Sequence, residues 1–134
     1  MKYYKDLQVW QKAMELVVEV YRLVKLLPKE ELFALSSQMK RAAISIPSNI
    51  AEGQSRNSTK EFQQFIAIAK GSNSELETQL LICVKVGYLK ENDIQCALTS
   101  ISEIAKMLSS LSRNLINRNL QLETRNTNER SECL

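Results

Sequence analysis

The chain has 134 residues, enough for one domain with a real core, and carries a net charge of +3 with 25% charged residues. Three glycines and two prolines leave little room for the turns of a β-rich fold, and no apolar run is long enough to span a membrane. The absence of histidine excludes Ser-His and Cys-His nucleophile pairs and every histidine-ligated metal site.

The opening Met1-Lys2-Tyr3-Tyr4-Lys5-Asp6 lacks the apolar stretch of a secretion signal, so a cytoplasmic location is expected. The first helix is expected from Leu7, with Asp6 as its N-cap. Trp10, Met14, Val17, Tyr21, Val24 and Leu27 recur at steps of three and four, and Leu16, Val20 and Leu23 widen that stripe. Pro28 ends the helix, because a proline pushes the preceding residue out of helical geometry.

A second helix is expected over residues 30–52. Leu32, Leu35, Met39, Ala42, Ile46 and Ile50 form its apolar row. Pro47 lies inside the row and predicts a kink, since it removes a backbone donor and crowds the Ala43 carbonyl. Gly53 is placed to stop the helix in the left-handed conformation.

Ser58-Thr59-Lys60-Glu61 reads as a capping box opening the third helix. Phe62, Ile66, Ala69, Asn73, Leu76, Leu80, Cys83 and Gly87 follow at alternating steps of four and three, a heptad seam that Gly87 closes. Asn73 interrupts that seam, either as a buried amide with a partner or as a device that sets register. Asn92 with Gln95 reads as a second capping box, opening a fourth helix with Ile94, Leu98, Ile101, Ala105, Leu108 and Leu115 on its seam. Beyond Asn119 the period fades, and residues 120–134 read as a disordered polar tail on a domain of residues 1–119. Short connections make sequential helices antiparallel neighbours, so the expected fold is all-α, an antiparallel up-down four-helix bundle.

The usual phosphate loops and the Glu-x-x-His pairs of di-iron bundles are absent, so no catalytic residue, metal or cofactor is assigned and the chain is expected not to be an enzyme. Cys83, Cys96 and Cys133 show no metal or disulfide spacing. The polar features are more informative. Arg41, Ser45, Ser48 and Glu52 step by four, three and four beside the apolar row of the second helix, with Asn49 adjacent. Glu75 and Glu77 add carboxylates on the third helix. Such a stripe is either solvated surface or a polar subunit interface, and the small residues Ala42, Ala43, Ser45, Ser48 and Ala51 would admit a close neighbour. Residues 1–57 carry nine Lys/Arg against six Asp/Glu, whereas residues 58–134 carry nine of each. An anionic partner would therefore meet the first half, with Lys2, Lys5, Lys12, Lys40 and Arg41 as candidate contacts. Solvated lysines are the competing account, because +3 is a weak field.

Asp6-Leu7-Gln8-Val9-Trp10-Gln11-Lys12-Ala13 and the long stretch from Ser37 to Gly53, SQMKRAAISIPSNIAEG, resemble the 23S rRNA-intervening sequence proteins. Lys60-Glu61-Phe62, the run Gly71 to Leu80 and Gly87-Tyr88-Leu89 are similar to the same family, and the resemblance covers roughly residues 4–115. The family is also labelled ribosomal S23. The resemblance implies a four-helix bundle assembled as a ring-like homopentamer. It also implies kinship with the accessory variability protein of diversity-generating retroelements, a basic pentamer that binds nucleic acid and partners a reverse transcriptase. On that basis Arg41, Ser45, Ser48, Asn49, Glu52, Glu75 and Glu77 are expected to share a polar network. Departures from the pattern are Ala34 for glycine, Lys40 for arginine and Asn73 for an apolar residue. Two functions follow as expectations. One is a homo-oligomeric scaffold that binds RNA, DNA or a nucleic-acid enzyme. The other is a protein-interaction module with no affinity for nucleic acid.

Overall fold

The computed structural model describes residues 3–132, without the side chains of 123 and 126–132; Lys2 and Cys133 lie outside the described residues. Four helices make up the body: α1 (Gln8–Val24), α2 (Leu35–Gln54), α3 (Thr59–Lys85) and α4 (Glu91–Glu132). Short 3-10 turns at Tyr4–Asp6 and Lys29–Glu31 precede α1 and α2. No strand occurs among the described residues, and no helix is long and apolar enough to cross a membrane.

Each helix packs on its sequence neighbours, and α4 returns to α1. One core cluster draws residues from all four, including Leu16, Val20, Met39, Ile46, Leu76, Leu80, Ile104 and Leu108. Along α2 and α3 the partner numbers run in opposite directions. Gly53 meets Phe62 and Phe65, Ser45 meets Ser72, and Met39 meets Cys83.

The inward face of α1 follows the expected stripe at Leu16, Val20, Leu23 and Val24 and departs from it at Met14 and Tyr21. Val9, Ala13, Leu16, Val20 and Leu23 are buried, while Met14 and Tyr21 are 42% and 38% exposed. Apolar residues cover so much of this helix that periodicity alone leaves its inward direction open. Its start also differs. Leu7, in extended geometry, precedes Gln8, and Asp6 belongs to the preceding turn and caps nothing. Instead the Gln11 side chain donates back to the Lys5 carbonyl at 2.8 Å.

Helix α2 begins at Leu35, later than expected, because the backbone leaves helical geometry at Ala34 (φ −125°, ψ −105°). Gly53 is not a left-handed stop; it lies within α2, which continues through the buried Pro47 to Gln54. A Cβ at Gly53 would sit 2.7 Å from Phe65 Cβ and 2.9 Å from Phe62 Cδ1, so the residue is small because α3 crosses there.

The caps of α3 follow the sequence closely. Ser58 accepts the Glu61 amide at 3.2 Å. Gly87, at φ +87°, ends the helix. Its amide donates to the Val84 carbonyl, and the Tyr88 amide donates to Cys83 at 2.9 Å. This double closure is a Schellman motif. Helix α4 starts at Glu91, one residue before the expected cap, and Asp93 accepts the Lys90 amide at 2.8 Å. Leu98 is half-buried and Ala105 exposed, while Ala97 and Ile104 fill the core positions. The segment expected as a disordered tail continues α4 to Glu132. The chain has no glycine or proline after Gly87, so nothing local stops the helix there.

Candidate interaction surface on the second helix

With Met39, Ala42, Ile46 and Ile50 turned to the core, the opposite edge of α2 carries the expected polar row. Arg41, Ser48 and Glu52 are exposed, and Ser45 and Asn49 are half-buried. The Asn49 amide donates to the Ser45 carbonyl at 2.7 Å and to its Oγ at 2.8 Å. The Ser72 hydroxyl, from α3, also donates to Ser45 Oγ, at 2.8 Å. Three short polar side chains thus join the two helices where they run close together. Ser72 was not singled out from sequence. The signal for it lies in the small and polar run Gly71-Ser72-Asn73-Ser74, in which Ser72 faces α2.

The carboxylates divide. Glu52 pairs with Arg56 at 3.0 Å, one turn on. Glu75 accepts a bond from the buried Gln79 amide at 3.3 Å, and Gln79 Oε1 has no partner among the described residues. Glu77 does not join this group. Two residues of helix turn it roughly 200° from Glu75, and it is exposed on its own flank. Of the seven residues expected to share a network, hydrogen bonds join Ser45 and Asn49, together with Ser72 of α3, while Glu52 and Glu75 bond to residues one turn further along the chain. Asn73 has a separate role: its amide donates to the Ile101 carbonyl of α4 at 2.9 Å, and its buried Oδ1 has no partner among the described residues.

Among the described residues, the candidate contacts Lys5, Lys12, Lys40 and Arg41 do not form one cluster. Lys12 pairs with Glu103 of α4, and that hydrogen bond raises the pKa of its ammonium. The Lys5 ammonium lies 5.5 Å from the Tyr3 ring before α1. Lys40 lies over the Tyr21 ring at 4.9 Å, near the far end of α1. Arg41 is exposed and forms no ion pair among the described residues.

Apolar side chains flank the polar core. Met14, Val18 and Tyr21 make an exposed row on α1, with Val18 71% exposed. Ile44 precedes Ser45, and Ile68 lies one turn before Ser72; both are exposed. Isolated apolar residues on a surface are ordinary, but an exposed row on α1, with exposed isoleucines on α2 and α3 next to the polar cluster, has the make-up of a contact surface. No group of three or more Cys, Asp or Glu side chains among the described residues could hold a metal ion.

The sequence pattern of the 23S rRNA-intervening sequence proteins matches residues 5–110, from the first turn through α1, α2 and α3 into α4. The chain belongs to this family. Within the 23S rRNA-intervening sequence family, the matched region contains the whole Ser45–Asn49–Ser72 cluster and stops before the last part of α4. The fold is similar to the crystal structure of a protein of unknown function from the S23 ribosomal protein family of Bacteroides thetaiotaomicron VPI-5482. The two share 28% identity at a TM-score of 0.72, over 78% of this chain and 97% of the other. No curated protein matches the chain.

Proposed function

We propose that this family member is a non-enzymatic scaffold: an antiparallel up-down bundle that assembles with copies of itself and holds nucleic acid or a nucleic-acid-associated protein in the cytoplasm. The observation that carries the reading is the exposed apolar surface: the row Met14–Val18–Tyr21 on α1, with Ile44 and Ile68 beside the Ser45–Asn49–Ser72 cluster. In a lone chain this surface leaves apolar area in water at about 25 cal/mol per Å². A second copy would cover it. The opposed run of α2 and α3 contacts supports the antiparallel topology. The homopentamer is the stoichiometry that the family resemblance implies.

Light scattering on the purified chain tests assembly. A mass near five times 15.3 kDa is expected, and a monomer at micromolar concentration would sink the scaffold. RNA binding is tested by its salt dependence, because each phosphate neutralised releases counterions. A steep loss of affinity with added salt is expected, and a flat response would argue against phosphate contacts.

A second reading has its own support. Lys12 is neutralised by Glu103, and the remaining candidate cations are spread along the body. That dispersal favours a protein-interaction module without nucleic-acid affinity. Protein partners that stay bound after nuclease treatment of the native host extract would select it.

A further inference from the structure

We propose that the cleft where α1 ends and α2 begins is a binding site for a phosphate-type oxyanion. The cleft holds about 220 Å³, below the roughly 300–1,000 Å³ typical of pockets for drug-sized ligands, so its size suits a small group. Lys25, Lys29 and Lys40 line it, no acidic side chain does, and Val24 and Leu27 contribute apolar walls. None of the three lysines forms an ion pair among the described residues. Lys40 is steadied over the Tyr21 ring at 4.9 Å.

Ser36 supplies the independent observation. It is only 4% exposed, it lines the cleft, and its hydroxyl has no hydrogen-bond partner among the described residues. A polar side chain so nearly enclosed ordinarily finds a partner. Ser36 is also the second residue of α2, whose twenty residues direct a positive dipole end at this point. Ala34 offers no side-chain cap. Glu31 takes the Leu35 amide at 3.2 Å with one oxygen, while its other oxygen accepts the Tyr88 hydroxyl at 3.0 Å. Neither Glu31 nor the exposed Glu30 lines the cleft. The Ser36 and Ser37 amides remain without partners among the described residues. Ser36, Lys25, Lys29 and Lys40 thus line one cleft at the amino end of α2, where an oxyanion would meet a hydroxyl and ammonium groups together.

The anion could be free phosphate or a phosphate of a nucleic-acid backbone; only the second rests on the nucleic-acid reading above. The test uses the full chain, labelled with nitrogen-15, titrated separately with sodium phosphate and with a short oligothymidylate. Saturable shifts of the Ser36 and Ser37 amides are expected. Shifts with phosphate identify a free-anion site, and shifts with the oligomer alone identify a backbone contact. Lys25→Gln with Lys29→Gln should weaken binding at least about tenfold, and Ser36→Ala about tenfold, as for a hydrogen bond to a charged group. The lysine changes are on exposed side chains, and an unchanged circular dichroism spectrum would verify folding. Silence of both amides with either probe overturns the site. So does affinity unchanged from the parent chain in both variants, or shifts spread over every lysine-bearing surface. Solution mass measured on the same samples reads assembly separately, so the scaffold and the site can fail independently.

Discussion

The α2–α3 contact and the α1–α4 contact join neighbouring helices by different means. Between α2 and α3 the bridging groups are short: Gly53 under Phe62 and Phe65, Ser45 against Ser72, and the Cys83 thiol donating to Met39 Sδ at 3.6 Å. Between α1 and α4 the polar link is two long side chains, Lys12 and Glu103, both partly exposed. Small groups permit close backbones and leave no slack when enlarged. A long ion pair at the surface tolerates change, because solvent screens it and either end can move. The comparison teaches that the polar residues of α2 are part of a tight joint, whereas the polar residues between α1 and α4 form a loose strap.

Met39→Ala should show the tight joint most strongly. Met39 is fully buried and its loss removes the acceptor of Cys83. A destabilisation of about 2–5 kcal/mol is expected in urea unfolding. A value near zero would mean that the joint collapses freely around the gap. Gly53→Ala should cost about 1–3 kcal/mol, because its Cβ would press on Phe65 and Phe62. Gly71→Ala is its counterpart: a Cβ there meets nothing within 4 Å. It should stabilise by about 0.4–1 kcal/mol through the unfolded chain. Equal effects from both glycine changes would erase the distinction between packed and open helix faces. For the strap, a double-mutant cycle of Lys12→Ala and Glu103→Ala should give a coupling of about 0.2–1 kcal/mol that fades with salt.

The smallest expected effect is at high pH. The hydrogen bond to Glu31 raises the pKa of Tyr88 above the ordinary tyrosine value of 10.0. The protonated phenol is therefore favoured by folding. Its contribution is complete below pH 10 and disappears as pH rises through the higher folded value. Tyr88→Phe should remove this part of the alkaline loss of stability, measured as denaturation midpoints on either side of pH 10. Identical alkaline slopes in both proteins would contradict it.

Local signals in the sequence were the legible ones. The seam from Phe62 to Cys83, the Ser58 cap and the glycine closure at Gly87 each depend on residues within a few positions, and all appear in the structure. What sequence could not give depends on partners distant in the chain. Gly53 resembled a helix stop because glycine often ends helices, yet its reason is Phe65 on another helix. The inward face of α1 was obscured because apolar residues serve both the core and the exposed Met14–Val18–Tyr21 row. In the candidate surface, the stepping of Arg41, Ser45, Ser48 and Glu52 was visible. That Ser72 completes the cluster and Glu77 stands apart required the facing helix.

The two joints also differ in how much chain lies between their halves. Ser45 and Ser72 are 27 residues apart, whereas about ninety separate Lys12 from Glu103. Bringing the second pair together costs about 1 kcal/mol more in chain entropy, from the logarithm of the loop length. The hairpin of α2 and α3 should therefore gain protection first in pulsed hydrogen-exchange labelling, with α1 and α4 docking afterwards. Simultaneous protection of all four helices would refute that order. A nascent chain would then have its central hairpin in place before the last helix leaves the ribosome, and would expose the outer side of that hairpin to other molecules before its own ends have met.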